Sequence, residues 1–431
     1  MKKGWFMIGI AALTSVSLVG CSSGTSKNSE TESITFINNR TDLEANGKWD
    51  DYVTKFNKKY PNIKVEVQTM GDYAGQMKTR MNSDEYGDVL MIPTDISQKD
   101  LGNFFEPLGK TADLSKKYLG MNDCSYKGTS YGIPSQMDAT GVVINKKVFK
   151  GAGISEFPKT PEDFINALKT IKEKNSDVTP LYTNYASGWA LSAWDAVRTG
   201  GSGNANFTNE MTSDLSPFDA GDTMYEIYNT LYSAAKKGLI ESDPTTSEWE
   251  QSKVDLANGK IAAMVIGSWA VQQVQEANED NADNISFVAF PMTASDGKQY
   301  VGVGGNYNYG INVHSKHKKA ARKFIDWMVN ESGIDVANGA LPTVKGADYP
   351  KTLQSLKDSG VELIEESPAP EGKETLFSDI NNESELGIGS TETQKQRIID
   401  AGVGNSKESF DDIMKDFNVK WAKAIKAVSD N

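Results

Sequence analysis

Several aromatic residues of this chain lie among amide and hydroxyl side chains rather than among apolar ones. Within residues 182–203, asparagine, serine and glycine surround Tyr182, Tyr185, Trp189 and Trp194. Aromatic rings stack on the apolar faces of sugars, while amides and hydroxyls hydrogen-bond the sugar hydroxyls. The segment therefore favours carbohydrate recognition, with Trp189 as a candidate contact and one of the two tryptophans as a core residue.

A second candidate contact, Trp269, follows a predicted buried strand. Gly259 is placed to end a helix, residues 261–266 are an apolar run of strand length, and Ser268 is placed to cap a helix that begins at Trp269. Ligands of open α/β sheets bind outside the carboxyl ends of the strands, so the indole would face a cleft. A core tryptophan is the alternative, and the segment by itself leaves both interpretations open.

Polar side chains also follow predicted strand ends. Asp95 comes after a strand predicted over residues 89–92. Gln136 and Asp138 lie in a predicted loop, residues 131–140, that leads into the next strand and is a plausible crossing between two lobes. These side chains would face an inter-lobe cleft, and simple solvent exposure is the alternative.

A glycine- and tyrosine-rich segment, residues 302–310, has the composition of a hinge. Its glycines allow hinge dihedrals, and Asn306 and Tyr307 are placed to reach a ligand. It lacks the lysine and hydroxyl residue of a phosphate-binding loop. A further crossing is predicted at residues 339–343.

Charge and residue types exclude several functions. The net charge of −13 argues against binding to nucleic acid phosphates. His314 and His317 lie in a solvated, lysine-rich setting, so neither a histidine-based catalytic triad nor a metal site is supported. We expect no cofactor and no metal.

An enzyme remains an alternative. The chain has 58 acidic residues, so a pair of carboxylates at the separation used by glycosidases is not excluded by counting. The rival interpretation is therefore a secreted glycosidase or lyase. A binding protein for a peptide, a metal or another solute that is not a sugar is a third interpretation, which the mixture of aromatic and amide residues disfavours.

The first residues resemble a lipoprotein signal. Residues 1–20 combine two lysines with a short apolar run, and Leu18-Val19-Gly20-Cys21 reads as a lipobox. Such signals are cleaved and the cysteine is acylated, which implies a lipid anchor on Cys21. Residues 21–32 then form a polar, flexible tether. Cys124 is the only other cysteine and is predicted to be a buried apolar residue, so the mature protein has no intrachain disulfide.

The elements that position these candidates alternate along the chain. Trp49, Tyr52 and Phe56 recur at helical spacing until Pro61, and residues 63–67 alternate as a strand does. Strands that alternate with helices predict α/β lobes with mostly parallel sheets flanked by helices.

Six segments in order carry a resemblance to a known family. They are residues 49–65, 87–89, 131–146, 157–163, 259–270 and 304–321. Their joint order over most of the chain resembles the bacterial extracellular solute-binding proteins of family 1, the oligosaccharide-binding lipoproteins of ABC importers that include the maltodextrin-binding protein.

The resemblance implies a fold and its division. The family has the type II periplasmic-binding-protein fold, in which two α/β lobes joined by three crossings close on a ligand. We expect an N-terminal lobe from residues 33–140 and 310–340. Residues 141–309 and 341–431 would then form the C-terminal lobe.

It also implies site residues. Trp269 matches the position of a stacking tryptophan, and Asp95 and Asp138 match carboxylates that accept bonds from sugar hydroxyls. Arg40 lies in the loop after the first strand, which often supplies a polar contact. Trp189 corresponds to an aromatic segment of the cleft.

The resemblance finally implies partners and a location. The protein would be a monomer, anchored by Cys21 on the extracellular face of the cell membrane. It would deliver an oligosaccharide to the permease subunits of an ABC importer without catalysing a reaction. The general character of the family weakly favours α-glucosidic oligosaccharides as the ligand.

Overall fold

The computed structural model describes residues 31–71, 73–94 and 96–430. Strands and helices alternate in it, so the α/β class is confirmed. The strands within these residues are β1 (Glu32–Asn38), β2 (Ile63–Thr69), β3 (Val89–Met91), β4 (Gly109–Lys110), β5 (Ser125–Tyr126), β6 (Thr129–Ser130), β7 (Gly132–Asn145), β8 (Thr179–Leu181), β9 (Ile261–Gly267), β10 (Ile285–Val288), β11 (Tyr300–Ile311) and β12 (Glu362–Glu365).

Helices flank these strands on both faces. The α-helices of the described residues are α1 (Thr41–Ala45), α2 (Lys48–Lys59), α3 (Tyr73–Arg80), α4 (Leu101–Phe104), α5 (Thr111–Leu114), α6 (Lys146–Gly151), α7 (Pro161–Lys174), α8 (Ala193–Ala196), α9 (Arg198–Ser202), α10 (Phe207–Met211), α11 (Thr223–Lys236), α12 (Trp249–Ala257), α13 (Ala270–Ala277), α14 (Lys318–Asn330), α15 (Ile334–Ala337), α16 (Gln354–Asp358), α17 (Leu376–Ser384), α18 (Thr393–Val403) and α19 (Phe410–Ser429). Among the described residues, each helix is either too short or too polar to traverse a lipid bilayer.

The first lobe is built on the parallel strands β2, β1 and β3. The apolar stripe of α2 packs on this sheet, with the ring centroids of Trp49 and Phe36 5.2 Å apart. Phe324 of α14 contacts Phe36 and Phe56 at centroid distances of 5.3 and 5.2 Å. A helix from late in the chain therefore completes the core of this lobe.

The second lobe is built on β9, whose residues are all buried. Strand β8 pairs with β9 in parallel, and α11 and α19 belong to the same apolar core. Within that core the buried Asp195 accepts hydrogen bonds from Lys395 Nζ at 2.6 Å and from the Tyr228 hydroxyl at 2.6 Å. The buried charge of Asp195 is therefore matched by a buried cation.

Two long strands join the lobes. Strands β7 and β11 pair antiparallel from Gly302 opposite Thr140 to Gly310 opposite Gly132. Because β7 also runs antiparallel to β9, and β11 to β3, the sheet is mixed where the lobes meet. The third crossing passes beside them, since Leu341 exchanges backbone hydrogen bonds with Met137 at 2.8 and 3.0 Å.

The prediction of a loop over residues 131–140 is wrong, because β7 already begins at Gly132. Residues 136–140 do alternate polar with apolar side chains, but Pro134, which has no N–H to donate to a ladder, and the polar residues around it favour a loop in the sequence. The strand is buried along nearly its whole length, and β11 supplies its backbone partners. Tertiary pairing therefore determines the conformation here.

Candidate functional site

A cavity of about 830 Å³ opens between the two lobes. One wall carries Arg40, just after β1, and the opposite wall carries Trp269, just after β9. The crossing strands β7 and β11 supply polar residues of its lining. The carboxyl ends of β1 and β9 therefore face one cleft, which is where open α/β sheets bind ligands.

The polar groups from the crossing strands form a connected network. Gln136 and Asn306 are directly opposite each other, and Asp138 lies two residues along the same face. The two Asp138 carboxylate oxygens accept from Asn306 Nδ2 at 2.7 Å and from Gln136 Nε2 at 3.3 Å. Burial raises the pKa of Asp138, whereas these two donors and the charge of Arg40 oppose the increase.

The same network reaches the first lobe through Arg40. Its guanidinium donates to both carboxylate oxygens of Asp42 at 2.8 and 2.6 Å, and to Asn338 Oδ1 at 3.3 Å. Asn338 in turn donates to Gln136 Oε1 at 2.9 Å. Arg40 also lies 4.9 Å from the centre of the Tyr307 ring, a cation–π distance. The side chains thus hold one another in place.

Tyr307 has an unusual backbone conformation. Its φ is 50°, in the left-handed region that residues other than glycine rarely adopt, although it lies within a strand. The side-chain oxygen of Asn306 accepts from the Tyr307 N–H at 2.8 Å and holds this geometry. Such strain is often kept at ligand sites, where it aims a side chain.

Three tryptophans pack together on the wall of the second lobe. The ring of Trp269 lies 5.8 Å from Trp189 and 5.6 Å from Trp249, and the latter two are 5.2 Å apart. Trp189 is 47% exposed, so much of its ring remains open to solvent or to a ligand. Trp269 does line the cavity, so the interpretation of a purely core tryptophan does not apply.

Ser268 does not cap the helix that follows, contrary to the sequence prediction. The helix α13 begins at Ala270, and the buried Ser268 hydroxyl instead accepts from the Ala139 N–H at 3.0 Å. This bond ties the end of β9 to the crossing strand β7. A Cβ on Gly267 would come within 2.2 Å of Trp269 Nε1, so the glycine makes room for the indole.

The aromatic residues of segment 182–203 do not all lie at the cavity, and some belong to the core. Trp194 is 1% exposed and packs edge-on against Phe290, so it is the structural tryptophan of the pair. Tyr185 donates to Asp400 at 3.1 Å, and Tyr182 accepts from the Glu248 N–H at 3.2 Å.

Most of the predicted site residues converge. The cavity is lined by Arg40, Gln136, Asp138, Trp269, Asn306 and Tyr307, and Trp189 contacts one of them. Their role in ligand binding stays a prediction. Asp95 lies outside the described residues, as do Cys21, the predicted signal peptide (1–20) and all but the end of the predicted tether (21–32).

Sequence reasoning missed five residues of this region. Asn338 follows the short helix α15, and nothing local indicates that it meets Arg40, which is 298 positions away. Trp249 begins α12 and reads as an ordinary helix aromatic, while Lys253 lies one turn later with its ammonium 5.3 Å from the Trp249 ring. The run of glutamines at residues 272–273, which also line the cavity, was an available signal of a polar wall.

The site has the chemistry of binding. Among the described residues, there is no cluster of histidine, cysteine and acidic side chains that could hold a metal ion. The histidines lie outside the cavity, with His314 Nε2 3.4 Å from Asp84 and His317 Nδ1 3.7 Å from Glu32. The charged residues of the lining are Arg40, Asp42, Lys48, Asp138, Lys253 and Glu276. With the amides and the Trp269 indole, they supply the donors, acceptors and ring face that suit a hydroxylated molecule.

The geometry defines a class first: two-lobed proteins that bind a solute between lobes. The chain belongs to the bacterial extracellular solute-binding proteins, because that family's model matches residues 41–334. This family consists of binding proteins, so the type II fold and the expectation of a protein that is not an enzyme are confirmed.

Individual relatives are similar over nearly the whole chain. A manno-oligosaccharide-specific solute-binding protein of Bifidobacterium animalis subsp. lactis ATCC 27673, solved with mannotriose, is 41% identical, with a TM-score of 0.81 over 93% of this chain and 96% of its own. A binding protein of an ABC transporter from the same organism, solved with mannobiose, is 39% identical, with a TM-score of 0.81 over 92% and 95%. The Multiple sugar-binding protein of Streptococcus mutans is 25% identical over 81% of this chain and 85% of its own.

Proposed function

We propose that this protein captures an oligosaccharide between its lobes and delivers it to the permease subunits of an ABC importer. The observation that carries this function is the inter-lobe cavity itself, with the Trp269 indole on one wall and the Asp138 network from its crossing strands. Family membership and the sugar-binding relatives support it.

For the sugar we propose manno-oligosaccharides ahead of α-glucosidic oligosaccharides. The preference for α-glucosidic sugars rests only on the general character of the family. The support for mannosides is that the solved relatives with mannobiose and mannotriose are 39% and 41% identical, well above the 25% of the curated sugar-binding relative.

The binding mechanism follows from the two walls. Trp269, with Trp189 behind it, would stack on an apolar sugar face, while Asp138 would accept charge-assisted hydrogen bonds from hydroxyls. Arg40 and Asn306 would contribute donors from the first lobe and the crossing strand. A ligand that touches both walls only when they approach binds the closed form more tightly, and this difference in affinity drives closure.

The cellular setting is part of the same proposal. The lipobox around Cys21 supports a lipid anchor on the outer face of the cell membrane, with residues 21–32 as the tether. We propose a monomer whose lobes comprise residues 33–140 with 310–340 and 141–309 with 341–431. Asp95 remains a proposed contact, supported by the sequence pattern alone.

Calorimetric titration of the protein lacking residues 1–32 tests the function. The panel contains mannobiose, mannotriose, maltotriose, raffinose and diacetylchitobiose. We expect saturable binding of the mannosides, with no smaller sugar released on prolonged incubation. Preferential binding of maltotriose would return the assignment to α-glucosides, and release of smaller sugars would contradict a binding protein.

A further inference from the structure

A separate cavity of about 340 Å³ lies in the second lobe, at the end of its sheet that is remote from the ligand cleft. It is lined by α6, by the end of α7 and by residues just before β8 and β9. Trp269 follows the opposite end of β9, so this strand of seven residues, about 20 Å long, separates the two sites. We call this cavity the lobe-end pocket. Among the described residues, it and the inter-lobe cavity have no lining residue in common.

The lobe-end pocket is positively charged, although the net charge of the chain is −13. Lys147 and Lys174 line it, and its described lining contains no aspartate or glutamate. Four other cavities of the described chain are each lined by at least two acidic side chains. Solvent and salt screen charges that lie more than about 8 Å away. The local charge therefore favours an anion in this pocket, even though the protein as a whole is acidic.

The donors that line the pocket are free to bind a ligand. Within the described residues, the side chains of Lys147 and Lys174 form no ion pair and no hydrogen bond. The side-chain oxygen of Asn175 accepts from the Asp177 N–H at 3.1 Å, which leaves the amide nitrogen of Asn175 as a donor. Two ammonium groups and an amide thus line one small cavity without acceptors of their own.

Helix electrostatics explain one of these lysines and not the other. Lys174 lies in the last turn of α7, where the helix dipole stabilises a cation. Lys147 lies in the first turn of α6, where the dipole disfavours a cation and no acidic residue offsets it. The position of Lys147 is therefore unfavourable for the protein alone and becomes favourable when an anion lies beside it.

The floor of the pocket is apolar. Ile171 and Val178 line it and are 1% and 5% exposed, and Val148 of α6 lines it as well. A ligand would therefore meet cationic and amide donors together with aliphatic carbon. This combination suits a small molecule that carries an anionic group on a short aliphatic body.

We propose that the lobe-end pocket binds a phosphate group carried on a short aliphatic body, with Lys147 and Lys174 as its cationic ligands. The two ammonium groups donate charge-assisted hydrogen bonds to the phosphate oxygens, as lysine does at other phosphate sites, and the Asn175 amide donates a further one. The aliphatic carbons pack on Ile171 and Val178. Such a group occurs both in soluble glycerol phosphate and in the headgroup of phosphatidylglycerol.

The test uses the protein lacking residues 1–32, so that no lipid anchor contributes. Calorimetry at low ionic strength measures binding of glycerol 3-phosphate, and co-sedimentation measures binding to phosphatidylglycerol vesicles, with phosphatidylcholine vesicles as the reference. We expect saturable binding that weakens as sodium chloride is added. Binding of glycerol 3-phosphate alone assigns the site to a soluble phosphate ester, and binding that includes the phosphatidylglycerol vesicles assigns it to the lipid headgroup.

Two double variants separate the pocket from the charge of the whole protein. Lys147→Gln with Lys174→Gln should lower the affinity about tenfold or more, because both charge-assisted hydrogen bonds are lost. Lys415→Gln with Lys423→Gln removes two exposed lysines of α19 and changes the net charge equally, so it should leave the affinity unchanged. Titration of both double variants with mannotriose shows whether the fold and the ligand cleft are intact.

The outcomes do not depend on the proposed sugar. If neither glycerol 3-phosphate nor the phosphatidylglycerol vesicles bind the wild-type protein, the phosphate site is overturned. Equal losses in the two double variants would attribute the binding to net charge and overturn the site as well. A wild-type protein that binds glycerol 3-phosphate but no mannoside contradicts the proposed sugar and leaves the phosphate site supported, and thermal unfolding then checks the fold of the variants.

Discussion

The position of the Trp269 side chain in the cavity wall is set by its neighbours. Gly267 leaves space for its indole, and Trp189 and Trp249 pack against that ring. The Ser268 hydroxyl fastens the preceding strand to β7. A ring fixed in this way loses little conformational entropy when a ligand binds. Most of the free energy gained by burying its apolar surface is therefore available for affinity.

Replacing Trp269 with alanine should weaken sugar binding with the fold intact. The lost apolar contact corresponds to about 1–3 kcal/mol. Calorimetry measures the affinity, and thermal unfolding checks the fold. Val419→Ala, at a residue 61% exposed on α19, is the matched control and should leave affinity unchanged. Wild-type affinity in Trp269→Ala would remove the indole from the site.

Asp138 gives the site a pH dependence. Burial raises its pKa, so the carboxylate takes up its proton at a higher pH than an ordinary aspartate. The ionised form accepts the stronger hydrogen bonds, so affinity should fall as the pH falls through this raised pKa. Asp138→Asn should lower affinity at neutral pH by about 1.5 kcal/mol and abolish the decrease on acidification. Calorimetric titrations across the acidic range check this, and parallel profiles for both proteins would argue against the role of the carboxylate.

At the scale of the elements, the second lobe depends on a buried ion pair between α8 and α18. The side chains of Lys395 and Asp195 are 1% and 0% exposed, with 2.6 Å between Nζ and the carboxylate. Removal of one partner leaves an unpaired charge that is expensive to bury. The pair therefore fixes how two helices that are distant in the sequence pack.

Lys395→Ala should reduce the free energy of unfolding by about 3–5 kcal/mol. The matched control is Lys59→Ala, which breaks a pair with Glu331 of similar length, 2.5 Å, whose side chains are 48% and 42% exposed. That change should reduce the free energy of unfolding far less, because solvent screens both charges. Urea denaturation measures both values, and equal losses for the two variants would contradict a special role for the buried pair.

The elements also show what the sequence could predict. The helix α2 and the strand β9 follow from apolar spacing, because each buries one continuous stripe or run. The first half of β7 was not predicted, because Pro134 and the polar residues around it favour a loop, although residues 136–140 alternate as a strand does and pair with β11. Ser268 was assigned as a cap for a similar reason, since its actual partner is Ala139, 129 positions away.

In the candidate site, too, some residues were predictable from local sequence pattern and others were not. Trp269 and Asp138 lie at a predicted strand end and a predicted crossing, so local pattern made them candidates, and the family resemblance favoured them over the alternatives that the pattern left open. Asn338 connects Arg40 with Gln136 only because the third crossing returns the chain to the cleft. Trp249 carried no signal beyond helical spacing, and only the fold brings it against the other two indoles. Contacts between remote segments are therefore the part that sequence reasoning lacks.

At the scale of the whole molecule, the two walls should approach when sugar binds. Small-angle X-ray scattering of the protein lacking residues 1–32 should show a smaller radius of gyration with saturating mannotriose than without it. The physical reason is that a ligand in contact with both lobes stabilises the closed form. An unchanged radius, with binding established by calorimetry on the same sample, would contradict closure by the ligand.

The paired crossing strands have a mechanical consequence. Strands β7 and β11 are hydrogen-bonded to each other through the junction, from Gly302 opposite Thr140 to Gly310 opposite Gly132. Bending such a ribbon across its width keeps its ladder, whereas sliding one strand along the other would break several bonds at once. We therefore expect the junction to bend more readily than its strands slide past each other, so that closure of the lobes follows essentially one rotation.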